Sequence, residues 1–292
     1  MEVIKSILQK NGITQPYENG KKMDKENRLF ITDDYVIKIY YPKKFPYYYN
    51  ELEVYKGLSD NKGIPKLYYC GDESDYKYII ISRIYGKSLF DEWINYTHEE
   101  KQRIVKQMVE IIKSINNIKT KEVNFQSYLD DKYLKAISGL NFSECFLRRI
   151  DDLYNDLRQH IGLKEIANLI HVDIHFYNFL VNDDKLFAYD FENTVMAPLD
   201  YQLLRLYRMG KYPETFVYPK GSLNDKERDS FKDLLPIFLS YYPELASSQC
   251  FEGRLKLYLL VYLLEEAKRC KLTEETVANY IKENEHIRVR EK

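Results

Sequence analysis

No stretch of this sequence is long and apolar enough to span a membrane. The longest uninterrupted apolar run is Leu257 to Leu264, well short of the ~20 residues a spanning helix needs. Met1 to Lys10 alternates apolar and charged residues, with neither an apolar signal core nor a small-residue cleavage site. The four cysteines, Cys70, Cys145, Cys250 and Cys270, stand far apart without a C-x-x-C pair. That spacing excludes a zinc knuckle and a dense disulfide framework. A reduced, cytoplasmic protein is the expectation. Glycine and proline are scarce, 11 and 9 in 292 residues, and do not gather into a linker. Any junction between domains must be tight. An excess of either charge is also missing, since 44 Lys and Arg meet 45 Asp and Glu for a net charge of −1. No global field draws the chain to nucleic acid or to an anionic membrane, so neither partner is expected. Tryptophan occurs once, against 28 Tyr and 14 Phe. We read that tyrosine excess as filling half-buried positions.

What is there divides into two styles of sequence. Val3, Ile4, Ile7 and Leu8 share one helical face at the start. Asn27 to Thr32 and Tyr35 to Tyr41 read as strands about an Asp33-Asp34 turn, the second rich in Val, Ile and Tyr. Tyr48 to Leu58 has helical spacing, with Leu52, Tyr55 and Leu58 near one side. Leu67 to Cys70 and Tyr76 to Ser82 read as strands joined by a turn over 71–75. From about Leu89 the pattern becomes helical. Thr97-x-x-Glu100 forms a capping-box signature before Ile104, Val105, Met108, Ile111, Ile112 and Ile115. A second start at Asn224 leads into Phe231, Leu234, Leu235, Phe238 and Leu239, and a third helix covers Leu255 to Cys270. Trp93 reads as packing rather than a ligand platform. Only Leu169 to Phe191 interrupts the helices, as strand and loop. The pattern is α+β with two lobes.

The interruption carries the chemistry. His171, Asp173, His175, Asn178 and Asp190 stand inside apolar, strand-like sequence. Buried carboxylates there need partners. One reading treats the acids as turn residues and the histidines as core groups. A second makes the segment a metallohydrolase site, because an extended strand would point His171, Asp173 and His175 to one side. A third is phosphoryl transfer. Asn178 and Asp190 would hold Mg²⁺ through oxygen, and Asp173 would accept a proton from an acceptor hydroxyl. The mixture of Asp and Asn fits this third chemistry best.

The run H-x-D-x-H-x-x-N-x-L followed by D-F-E resembles the signature of the aminoglycoside phosphotransferase/choline kinase group, which has a protein-kinase-like fold. Val172 departs from it, standing where glycine is common in the group. The resemblance implies a small antiparallel-sheet lobe over residues 1–83 and a mainly helical catalytic and acceptor-binding lobe over residues 84–292, with the nucleotide between them. It makes Asp173 the catalytic base and Asn178 and Asp190 the metal ligands. Val36-Ile37-Lys38-Ile39-Tyr40 is similar to the strand carrying the phosphate-binding lysine. Glu51 is its implied helix partner, with Glu53 the alternative. Backbone groups of Ser82, Arg83 and Ile84 would bind the base. Asp200 matches an aspartate that braces the catalytic loop. A phosphate-covering hairpin is expected near 20–26, although only Gly20 is present there and Lys21 and Lys22 read as a solvated cluster.

His175 stands where serine/threonine protein kinases usually carry lysine, and ten positions from Asp190 to Asp200 leave no room for their activation segment. The resemblance therefore implies a small-molecule kinase using ATP, or GTP, with Mg²⁺ on an aminoglycoside-, choline- or sugar-like hydroxyl. A non-enzymatic nucleotide-binding scaffold is the alternative. Glu265 and Glu266 could line an acidic-aromatic acceptor pocket, but we prefer a solvated helix face.

Overall fold

A computed structural model describes residues 2–20, 27–217, 223–248, 250–285 and 287. From residue 21 the expected 20–26 hairpin, with Lys21 and Lys22, lies outside the described residues. The chain forms two compact units, residues 1–118 with 171–195, and residues 119–170 with 196–292.

The first unit opens with α1 (Glu2–Lys10), followed by strands β1 (Glu18–Asn19), β2 (Asn27–Ile31) and β3 (Tyr35–Tyr40). Helix α2 (Phe45–Gly57) leads to the hairpin β4 (Leu67–Glu73) and β5 (Tyr76–Ser82). The sheet order is β1-β2-β3-β5-β4, and every neighbouring pair is antiparallel. The expected turn over 71–75 contracts, because β4 runs on to Glu73 and Ser74 takes a positive φ of 53°.

Alternation along the strands explains what this sheet does. Ile37 and Ile39 of β3, Phe30 of β2, and Tyr78 and Ile80 of β5 pack with Ile4, Ile7 and Leu8 of α1. Burying each such isoleucine contributes about 1.5–3 kcal/mol. Successive side chains point to opposite faces. Leu29, Ile31, Val36, Lys38 and Ile81 therefore share the other face, where they line a cleft. Helix α2 starts before the expected Tyr48, with Pro46 in its first turn, where its missing N–H costs nothing. Its buried side chains are Tyr48, Glu51, Val54 and Tyr55, so a carboxylate sits on the inward face and Leu52 is only half-buried.

Next come β6 (Lys87–Ser88), α3 (Leu89–Trp93) and α4 (His98–Asn116). Both capping-box bonds form, since Thr97 N–H donates to Glu100 at 2.8 Å and Glu100 N–H donates to Thr97 Oγ1 at 3.3 Å. Trp93 is fully buried against Phe176. In the second unit, β7 (Thr120–Val123), α5 (Phe125–Ile137) and α6 (Glu144–Arg158) precede β8 (Glu165–His171), which pairs antiparallel with β7. Strands β9 (Phe179–Asn182) and β10 (Lys185–Ala188) form a hairpin in the first unit, with β6 on the other side of β9. After β11 (Thr194–Ala197) the chain is helical, as α7 (Leu203–Lys211), α8 (Asp225–Asp229), α9 (Leu234–Tyr241), α10 (Phe251–Cys270) and α11 (Glu274–Glu283). The single helix expected from Asn224 is two. Pro236 has no N–H to donate, and its ring would clash with the Lys232 carbonyl of a continuous helix.

Candidate active site

Lys38 sits near the middle of β3, and its ammonium is the hub of the first unit's polar residues. Nζ donates to both oxygens of Glu51 at 2.9 Å and to Asp190 Oδ1 at 2.7 Å, with Glu192 Oε1 at 3.5 Å. The helix partner is Glu51, which is 0% exposed. Burial alone would lower the lysine, but Asp190 and Glu51 outweigh it and hold the ammonium well above its ordinary value.

Asp190 follows β10 with a φ of 65°, a left-handed conformation costing a non-glycine residue about 1–2 kcal/mol. Burial would raise its carboxyl, yet the Lys38 charge wins and the group stays below its usual value, ionised at neutral pH. Glu192 behaves oppositely. Burial, with Glu51 and Asp190 nearby, pushes it up to about 7 against the pull of Lys38. The folded chain thus holds a proton there that the unfolded chain has lost between about pH 4.5 and 7. Through this group, stability declines as pH rises across that window. Glu192→Gln is expected to flatten the decline, read as melting temperature of metal-free protein from pH 5 to 8. Identical slopes in the two proteins would reject this.

The loop bearing Asp173 and Asn178 is tied to itself. The Asp173 carbonyl accepts the His175 N–H and Asn178 Nδ2, each at 2.9 Å. Asn178 is buried, and with Nδ2 committed its Oδ1 is the atom available to a cation. The Asp173 side chain remains about 20% exposed, 3.6 Å from His175 Nε2.

The metallohydrolase reading fails here. Strand β8 ends at His171, so the alternation that would align His171, Asp173 and His175 stops before Asp173. Burial lowers His171 to about 4, leaving a neutral core imidazole beside Phe191. Among the described residues, the one group of three His, Cys, Asp or Glu close enough to share a metal is Glu51, Asp190 and Glu192. Their ligand atoms lie within 4.8 Å of one another. All are carboxylates, which suit Mg²⁺ better than zinc. The Lys38 ammonium already stands among these three carboxylates, so a hard cation would have to draw on the cleft-facing side of Asp190 and on the Asn178 oxygen.

A cleft of about 310 Å³ gathers Lys38, Ser82, Arg83, Ile84 and Asp190. Its apolar walls include Leu29, Val36, Ile81, Leu180 and Phe187. Two of the expected backbone donors are already engaged, Ser82 N–H to the Lys66 carbonyl at 2.8 Å and Arg83 N–H to that of Asp34 at 2.7 Å. Position 86 requires glycine, because a Cβ there would come within 2.7 Å of the Val181 carbonyl oxygen.

The sequence pattern of the phosphotransferase enzyme family matches residues 19–224. The chain belongs to that family. Among solved structures, it resembles a streptomycin–ATP ternary complex of APH(2'')-IIa at 17% identity, over 97% of this chain and 95% of that one, with a TM-score of 0.69. ADP-bound aminoglycoside phosphotransferase APH(2'')-Ib is similar at 17% identity over 97% and 96% of the two chains, with a TM-score of 0.67. Amicoumacin kinase hAmiN, bound to AMP-PNP, Ca²⁺ and Ami, is similar at 14% identity over 96% and 91%, with a TM-score of 0.62. At these identities the likeness shows the α+β, protein-kinase-like fold. No curated protein matches the sequence. Family membership makes the chain a small-molecule phosphotransferase.

Several residues of this phosphotransferase gain a role only from the structure. Glu192 closes the D-F-E motif beside Lys38, and Asn50 Nδ2 donates to its carbonyl at 3.0 Å. Tyr40 and Tyr55 both donate to Glu51. Their spacing, two residues from Lys38 and four from Glu51, was the available signal. In the second unit, Asp200 is bound to Arg254 through Nε at 2.5 Å and Nη2 at 3.0 Å, with the Tyr258 hydroxyl at 3.3 Å. Arg254 Nη1 also donates to Glu165 at 2.8 Å. Glu265 and Glu266 are paired with Lys132 at 2.9 Å and Arg208 at 3.0 Å. The Arg208 guanidinium lies 4.0 Å from the centre of the Tyr262 ring.

Among the described residues, no helix is long and apolar enough to cross a membrane.

Proposed function

We propose that this phosphotransferase moves the γ-phosphoryl group of ATP to a hydroxyl of an aminoglycoside-, choline- or sugar-like small molecule in the cytoplasm. GTP is the alternative nucleotide. The observation that carries the reading is Lys38 bound to both Glu51 and Asp190 at the floor of an apolar-walled cleft. Residues 1–83 serve as the nucleotide-binding lobe, and residues 84–292 carry catalysis and acceptor binding. The solved relatives named above, with ATP, ADP, or AMP-PNP and Ca²⁺, support use of a nucleotide and a divalent ion.

In this reading the base lies between the apolar walls, against backbone of the 82–84 segment. With the Ser82 and Arg83 N–H groups committed, the Ile84 N–H and the carbonyls remain for its edge. Lys38, kept charged and extended by Glu51, meets the phosphates. Asn178 and Asp190 would hold Mg²⁺, which neutralises charge on the phosphate oxygens. Asp173 accepts the acceptor proton as the hydroxyl oxygen bonds to the γ-phosphorus and the bond to the departing nucleoside diphosphate breaks. Positioning and charge neutralisation account for the acceleration.

Purified protein with ATP and Mg²⁺, offered aminoglycosides, choline, amino acids and sugars, should yield one phosphorylated product by mass spectrometry. A protein that binds neither ATP nor GTP would refute the reading.

A further inference from the structure

Glu51 is a fully buried carboxylate with more donors than Lys38 alone supplies. The Tyr40 hydroxyl donates to Oε2, and the Tyr55 hydroxyl donates to Oε1 at 3.3 Å. Lys38 Nζ bonds both oxygens, so each oxygen receives two donors. The four groups come from two elements by simple periodicity. Lys38 and Tyr40 are two apart on one face of β3, and Glu51 and Tyr55 are four apart on one face of α2.

We propose that Tyr40 and Tyr55 are positioning residues that set Glu51, and through it Lys38, for the nucleotide's phosphates. This deepens the phosphotransferase reading and rests on it. A carboxylate offers about four acceptor sites. With its outer lone pairs tied to the tyrosines, Glu51 keeps both oxygens turned to the ammonium. Lys38 Nζ thus faces Glu51 with one side and turns the other to Asp190 at 2.7 Å and Glu192 at 3.5 Å. Neutral hydroxyl donors also draw charge from Glu51, so the lysine retains attraction for an incoming phosphate. Burial, with Glu51 beside them, keeps both phenols far above their ordinary value, hence protonated.

Each ring has a separate packing duty that phenylalanine preserves. Tyr40 meets Tyr48 edge-on at 5.5 Å, and Tyr55 meets Phe191 at 5.4 Å. Tyr→Phe therefore removes the hydroxyl and leaves the packing. The Tyr55 ring contact with Phe191 and the Asn50 bond to the Glu192 carbonyl are both kept, so loss of the hydroxyl isolates the polar effect.

The test is calorimetric binding of AMP-PNP with Mg²⁺ and, separately, of adenosine, to the full chain. Tyr40→Phe should weaken AMP-PNP about tenfold and Tyr55→Phe by less, the size of one hydrogen bond to a charged group. Adenosine, lacking phosphates, should bind both variants as it binds the wild type. In a Glu51→Gln background, Tyr40→Phe should bring no further loss, because the hydroxyl acts through Glu51. Unchanged AMP-PNP affinity in both variants, or equal losses for adenosine, would overturn the positioning role and leave the phosphotransferase reading intact. A full additional loss in the Glu51→Gln background would overturn it as well. Wild-type protein that binds no AMP-PNP would remove the reading and this role together. Should Tyr40→Phe fail to fold, Tyr55→Phe carries the same comparison.

Discussion

Asp173→Asn should lower kcat about 10²- to 10⁴-fold, the usual contribution of a positioned proton acceptor, while nucleotide affinity stays within about twofold. The amide keeps the shape of the side chain and removes its basicity. The turn around it depends on the Asp173 carbonyl, which takes the His175 N–H and Asn178 Nδ2, and the substitution leaves that carbonyl in place. Lys38, Glu51 and the cleft walls are untouched. Steady-state transfer to the acceptor found by the panel, with AMP-PNP titration beside it, separates the two effects. Turnover equal to the wild type would remove Asp173 from the mechanism. Loss of nucleotide binding along with turnover would instead assign it a structural role.

The second large effect is on stability and lies in the other unit. Arg254→Met should destabilise the protein by about 3–5 kcal/mol, because it strands a buried charge. Asp200 and Arg254 are each about 6% exposed. Their side chains meet through two guanidinium–carboxylate bonds, and Glu165 adds a third. At about 2–4 °C per kcal/mol for a chain of this order, the melting temperature should fall by about 10 °C. Asp200→Leu combined with Arg254→Met removes both charges and should recover part of the loss. A melting temperature unchanged in the single variant would show that water or rearrangement already compensates Asp200.

Local patterns were the most readable part of the chain. Capping residues Thr97 and Asn224, the alternation in β3 and the apolar stripe of α1 each encode short-range geometry. Local pattern is overridden where distant packing or a single proline intervenes. Pro236 splits the expected C-terminal helix. Strand β4 extends through an expected turn because Gly71, Asp72 and Glu73 pair with Tyr78, Lys77 and Tyr76. The inward face of α2 includes Glu51 rather than Leu52, a preference hydrophobicity alone cannot reveal.

The sequence by itself determined the chemistry on offer. A lysine in a strand, a glutamate in the helix after it, and an aspartate, asparagine and aspartate within 173–190, in that order, pointed to phosphoryl transfer and to the family that residues 19–224 match. Tertiary structure decided which partners those groups keep. Glu51 is the carboxylate on Lys38, and Tyr40 and Tyr55 complete its coordination. The acids Glu265 and Glu266 are neutralised by Lys132 and Arg208. The reason is physical: a side chain's type is written at one position, while its charge state and hydrogen bonds depend on groups brought close from elsewhere in the chain. Part of the tyrosine excess belongs to that second category, as hydroxyl donors to the buried carboxylate of Glu51.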